Sequence, residues 1–167
     1  GRLPMRLERS VPTTPVFRIP PELPRIAAAT LCHRTPGLRL SGRHPDSLRR
    51  FGGPGAVLTA EEVEYFWDNY TGDAGVLGNP LACPIHAELA GLPPVCMTIP
   101  ECDVLTETSL EMAELLRAAH VPVSLTVYRG ATHSFIEAMS IAPVAERAIA
   151  DGSAWLRERL GCTNVPA

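Results

Sequence analysis

From Phe51 onward the chain carries two regular hydrophobic spacings, and before it almost none. Val63, Phe66, Trp67 and Tyr70 recur at i, i+3, i+4 and i+7, which is one face of a helix. Thr59 stands ahead of that face with Glu62 three residues on, a capping box, and Leu58 and Val63 can form the hydrophobic staple around it. Gly72 is placed to stop the helix. The turn-rich Gly52-Gly53-Pro54-Gly55 precedes it, and a loop through Asn79-Pro80 and Ala82-Cys83-Pro84 leads on to Gly91-Leu92-Pro93-Pro94. Val95-Cys96-Met97-Thr98-Ile99 is almost unbroken apolar sequence, as expected of a strand covered on both faces. Met112, Leu115, Leu116 and Ala119 return to helical spacing, with Thr108 and Glu111 as a capping box. After Pro122, Val123, Leu125 and Val127 alternate with Ser124, Thr126 and Tyr128, the pattern of a strand with one less buried face, at a sheet edge. A last helix is predicted over 143–160, with Ala145, Ile149, Gly152, Leu156 and Leu160 inward. Pro143 suits its first turn and Gly161 its end. Strand, helix, strand, helix means a parallel sheet with right-handed crossovers, hence the α/β class.

Residues 1–50 read differently. They hold eight of the seventeen prolines, and Pro20-Pro21 and Pro24 forbid a helix there. Only 25–32, Arg25-Ile26-Ala27-Ala28-Ala29-Thr30-Leu31-Cys32, reads as an element, a short buried strand. Residues 33–50 show no usable period and are expected to be irregular. Charge divides at the same place: ten Arg against three acids before residue 51, five Arg against fifteen acids after it, and no Lys anywhere. The arginines are scattered among prolines with no aromatic ladder, so a nucleic-acid footprint is not favoured. No apolar run is long enough to span a membrane, and Gly1 to Arg25 lacks a signal-peptide centre, so a cytoplasmic location is the expectation. The 167 residues suffice for one domain with a core. The five cysteines include no Cys-x-x-Cys, which favours neither a disulfide framework nor a zinc site. Cys96 reads as a small buried hydrophobe, and Cys102, beside Asp103, as a candidate for lining a site.

The candidate chemistry lies past the ends of the two strands. Asp103 heads Asp103-Val104-Leu105-Thr106-Glu107, and His133 lies in Gly130-Ala131-Thr132-His133-Ser134-Phe135. Each run follows a strand and precedes a helix, which puts an acid and a base at the same end of a parallel sheet, where open α/β folds build their sites. Histidine changes protonation near neutral pH, and a carboxylate can hold its tautomer and stabilise the imidazolium. Asp103 also suits a helix N-terminus, where an acid meets the helix dipole. Glu107 reads as a first-turn acid of that kind, and Glu101 as loop surface. His33, His44, His86 and His120 have no acid at a comparable position and read as structural or exposed. No metal-ligand spacing and no phosphate-binding glycine loop occur, so no metal site is expected.

Four stretches resemble the C-terminal half of the bacterial hormone-sensitive-lipase-like esterases, the α/β-hydrolase fold-3 group that includes acetyl esterases. Phe66-Trp67-Asp68-Asn69-Tyr70 is similar to an aromatic cap helix, and 87–94 to the approach to the strand before the triad acid. Asp103-Val104-Leu105-Thr106-Glu107 matches Asp-x-Leu-x-Asp/Glu, and His133-Ser134-Phe135 resembles His-Gly-Phe with serine replacing glycine. The likeness covers roughly 51–160, with 25–32 as the strand before the cap. It implies Asp103 as triad acid, His133 as triad base, no cofactor, and a pocket shaped by Phe66, Trp67 and Tyr70, although core packing is the stronger reading for at least two of those three.

Two family elements are missing: a His-Gly-Gly-Gly oxyanion loop and a Gly-Asp-Ser-Ala-Gly nucleophile elbow, for none of the eight serines has a Gly-x-Ser-x-Gly context. Ser134 adjoins the base and is badly placed as its nucleophile. Both elements would lie before Gly1, so the expectation is a fragment of a short-chain carboxylic ester hydrolase, acting on a small-molecule ester through a Ser-His-Asp mechanism. The alternatives are a non-catalytic remnant or binding module, and one half of a split hydrolase. Residues 33–50 also suit a frame-shifted translation of GC-rich coding sequence. The division expected is 1–50 as a Pro/Arg-rich irregular segment and 51–167 as a partial α/β-hydrolase domain, with a cap segment at 51–78 and the Asp/His region at 79–161. A half-sheet would leave an apolar edge and face uncovered, which predicts poor solubility or a molten state for the chain alone.

Overall fold

In the computed structural model the described residues are 46–71 and 79–160, with the backbone of Ala27–Ala28. The rest of the expected strand 25–32, the stretch 33–45 and the helix-ending glycines Gly72 and Gly161 lie outside them.

The described residues form a three-stranded parallel sheet in the order β1-β2-β3, with β1 at Ala27–Ala28, β2 at Val95–Cys102 and β3 at Val123–Thr132. Ala27 pairs with Val95, and Val95 with Val123, so the strands start level. Four α-helices accompany them: α1 (Asp46–Phe51), α2 (Ala60–Thr71), α3 (Thr106–Ala118) and α4 (Pro143–Leu160). Short 3₁₀ turns occupy Pro84–His86 and Phe135–Ala138. The predicted last helix thus keeps its bounds. The irregular stretch expected up to residue 50 does not, because α1 begins at Asp46; six residues are too few to display a period.

Side-chain alternation sends β2 and β3 to two different layers. Val95, Met97 and Ile99 are buried against Met112, Ala113 and Leu116 of α3, with Val123 and Leu125 completing that face. Removing each large side chain of this cluster from water contributes about 1.5–3 kcal/mol. The other face is thinner. Cys96 and Thr98 are only half-buried there, so β2 is not fully covered on both sides. The cause is α4, whose small Ala145 and Ala148 are its buried residues. Ile149, Gly152 and Leu156 are half-buried and Leu160 is 49% exposed, so the inward face of α4 is set by its first turns. On this side Tyr128, expected as a polar partner in the alternation, is buried, while Val127 on the opposite face is 37% exposed.

The cap of α2 is as predicted. Glu62 Oε2 accepts from Thr59 N at 2.8 Å and from its hydroxyl at 2.9 Å, and Thr59 Oγ1 accepts from Glu62 N at 3.1 Å. These bonds hold the Glu62 carboxyl below its usual range. Val63 is buried with Leu58 beside it. The cap of α3 is different. That helix starts at Thr106, two residues before the predicted box, and Thr108 Oγ1 donates to Leu105 O at 2.9 Å. Its far end closes through His120, at φ 60°, with Val121 N donating to Leu116 O at 2.9 Å.

Candidate active site

β2 ends at Cys102, and the chain turns immediately into α3. Asp103 sits in that turn, 4% exposed. Its Oδ1 accepts from Leu105 N at 3.0 Å, which leaves Oδ2 for a second partner. The turn is fixed from both sides. Thr106 Oγ1 lies 2.8 Å from the carbonyl oxygens of both Pro100 and Asp103. From α1, Ser47 Oγ donates to Val104 O at 3.1 Å, and Ser47 N donates to Glu107 Oε2 at 3.2 Å. Glu107 is therefore a tether for α1 as well as a first-turn acid. Neither Ser47 nor Thr106 was singled out in the sequence. Thr106 offered the signal of a hydroxyl at a helix start; Ser47 offered none.

His133 follows β3 at the same end of the sheet. Its Nδ1 lies 2.8 Å from Asp103 Oδ2, so the acid and base thirty residues apart in sequence are in direct contact. The ring is one-fifth exposed. With Nδ1–H donated to the carboxylate, the neutral ring keeps its lone pair on Nε2, the arrangement that lets an imidazole take a proton from a nucleophile and hand it on. Among the described residues Nε2 has no hydrogen-bond partner, and no serine hydroxyl is bonded to it.

What holds His133 is mostly apolar. Tyr128 and Ala131 before it, and Phe135 and Ile136 after it, pack with Ala148 of α4. The Tyr128 and Phe135 rings are 5.4 Å apart. The Tyr128 hydroxyl donates to Asp151 Oδ2 at 2.8 Å, and burial followed by that bond pushes its pKa up to about 12. Ser134 has φ 56°, in the left-handed region. The residue after the base thus stands where glycine is least strained, and serine there is a larger departure than its small size suggests.

A cavity of about 450 Å³ opens beside His133, lined by Phe66, Trp67 and Tyr70 of α2 with Leu81, Pro84 and Leu105. That volume is within the range of small-molecule pockets. Phe66 is 59% and Tyr70 68% exposed, so the core-packing reading fails for these two: Val63 alone among the four spaced residues is buried. A second, smaller cavity of about 200 Å³ touches Asp103, His133, Cys102 and Thr132. Cys102 lines it, half-buried, while Cys96 is half-buried in β2 with its thiol pushed up by burial and by the Asp151 charge. Glu101 is on β2 rather than in a loop, and His86 and His120 are exposed. His33 and His44 lie outside the described residues.

A buried carboxylate bonded to a histidine thus lies at the carboxyl edge of a parallel sheet, beside a largely apolar cavity, which is where open α/β folds build their sites. Residues 17–137 match the model of the alpha/beta hydrolase fold family, and the chain belongs to that family. The match begins well before residue 51, where the likeness was expected to become good, and ends short of α4. The ethyl acetate hydrolase of Pseudomonas putida is 33% identical over 110 residues, 65% of this chain and 34% of that protein. The acetyl esterase of Salmonella paratyphi B is 26% identical over 115 residues, 68% of this chain and 36% of that protein. The solved esterase of Pyrobaculum calidifontis superposes with a TM-score of 0.67 at 27% identity, covering 70% of this chain and 38% of that one. The chain thus spans about a third of the length of these relatives.

Proposed function

We propose that this chain carries the acid–base part of a serine carboxylic ester hydrolase for short acyl esters. The 2.8 Å contact between Asp103 and His133 carries the reading. In the reaction a serine hydroxyl attacks the ester carbonyl. His133 Nε2 takes its proton and returns it to the departing alcohol, and Asp103 stabilises the imidazolium between the two transfers. Water repeats the cycle on the acyl-enzyme. Phe66, Trp67 and Tyr70 form the wall against which the acyl or alcohol part rests, and no metal or cofactor takes part. Support for a short acyl group comes from the ethyl acetate hydrolase and the acetyl esterase. In this reading 1–50 leads into the cap segment 51–78, and 79–161 is the acid–base region.

The nucleophile is supplied by sequence other than these 167 residues, which contain no Gly-x-Ser-x-Gly. The same observation favours a second reading, a non-catalytic remnant or one half of a split hydrolase. A neighbouring reading frame encoding the elbow and oxyanion loop separates the split enzyme from the remnant.

The test is a chimera in which this chain from Asp46 onward replaces the matching part of the Pseudomonas putida ethyl acetate hydrolase. It is expected to hydrolyse p-nitrophenyl acetate and to lose on the order of 10⁶-fold in kcat on His133→Ala. A soluble chimera no faster than its own His133→Ala variant defeats the reading. The chain by itself is expected to show no turnover that His133→Ala removes.

A further inference from the structure

We propose that Glu101 is a positioning residue for His133, acting through a bulge in β3. The two strands pair in step from Val95–Val123 to Pro100–Tyr128. The next pair is Cys102–Thr132, so Glu101 alone faces the three residues Arg129, Gly130 and Ala131. Two additional residues are therefore taken up in β3 immediately before the histidine. Bulges of this kind bend a strand and re-aim the side chains that follow. Here the bulge brings Thr132 level with Cys102, and so places His133 opposite Asp103.

A bulge needs something to hold its unpaired backbone. Tyr128 and Ala131 are buried at its ends, but Arg129 and Gly130 between them are exposed. Gly130 has φ 71°, and its N–H donates to Glu101 Oε2 at 2.8 Å. A backbone amide bonded to a carboxylate is stronger than a neutral pair. Glu101 and Asp103 are two residues apart on one strand end. One carboxylate takes the histidine ring and the other the backbone three residues before that ring, so a single rigid segment sets both.

The inference rests on the reading of His133 as the base, but its test requires no turnover. In the unaltered chain, NMR is expected to show a protected Gly130 amide and a low-field His133 Nδ1–H resonance that Asp103→Asn abolishes. Glu101→Ala is expected to speed Gly130 amide exchange about tenfold, the loss of one net hydrogen bond, and to remove the His133 resonance. Glu101→Gln keeps an acceptor oxygen and is expected to restore both. Thr59→Ala, which destabilises the chain away from the bulge, is expected to leave the resonance in place, and that separates positioning from general loss of stability. An unchanged His133 resonance in Glu101→Ala overturns the proposal. So does a Gly130 amide in the unaltered chain that exchanges as freely as an unbonded loop amide, which keeps the test decisive even where Glu101→Ala does not fold.

Discussion

Helices α2 and α3 present nearly the same hydrophobic spacing and put it to opposite uses. In α3, Met112 and Leu116 are each 2% exposed and close the main core over β2. In α2, Val63 is buried at 6%, yet Phe66 and Tyr70 stand out beside the His133 cavity. Spacing fixes which side chains share a face. What stands opposite that face decides whether it becomes core or pocket wall. A sheet faces α3; α2 lies across a cavity from Leu81, Pro84, Leu105 and His133.

The contrast is easiest to break in the core. Met112→Ala is expected to cost about 2–5 kcal/mol, measured by urea titration or by exchange of the β2 amides, because it leaves a cavity in the main core. Phe66→Ala on the other helix is expected to change stability by under about 0.5 kcal/mol, so a loss comparable to that of Met112→Ala defeats the assignment of Phe66 to a pocket wall.

Tyr128 sharpens the comparison within the thin layer under α4. Tyr128→Phe removes the bond to Asp151 and is expected to cost about 0.5–1.5 kcal/mol. Its folded pKa of about 12 lies above the ordinary value of 10, so its contribution is complete below pH 10 and is lost as pH rises through about 12. A stability profile that stays flat through that window counts against a buried, bonded phenol.

Thr59→Ala opens the α2 cap and is expected to cost about 1 kcal/mol, read as faster exchange at the start of that helix alone. The Glu62 carboxyl is held low, so its share is present above its ordinary value of 4.5 and fades as the pH falls through the lowered value. One substitution is expected to give a gain. Ser134→Gly relieves a left-handed backbone and is expected to stabilise by about 0.5–1 kcal/mol, with the Asp103–His133 contact kept. A loss of stability there would show that the serine side chain contributes more than its backbone costs.

The sequence by itself determined the α/β order, the parallel pairing, the Thr59–Glu62 cap, the bounds of α4 and the placement of Asp103 and His133 past the ends of neighbouring strands. Each rests on a local pattern: a spacing of 3.6 or 2, a cap pair, a charged or titratable residue just past a strand. Only the tertiary structure decided how α2 uses its aromatics, that Tyr128 turns inward, that Ser47 and Glu107 tie α1 to the acid turn, and that Glu101 holds Gly130. These are contacts between residues twenty to sixty apart, set by strand register and by which surfaces meet. The bulge shows the reason most plainly. Nothing in Tyr128-Arg129-Gly130-Ala131 states that two residues are to be taken up there; only the pairing with β2, and a carboxylate waiting on it, makes them so.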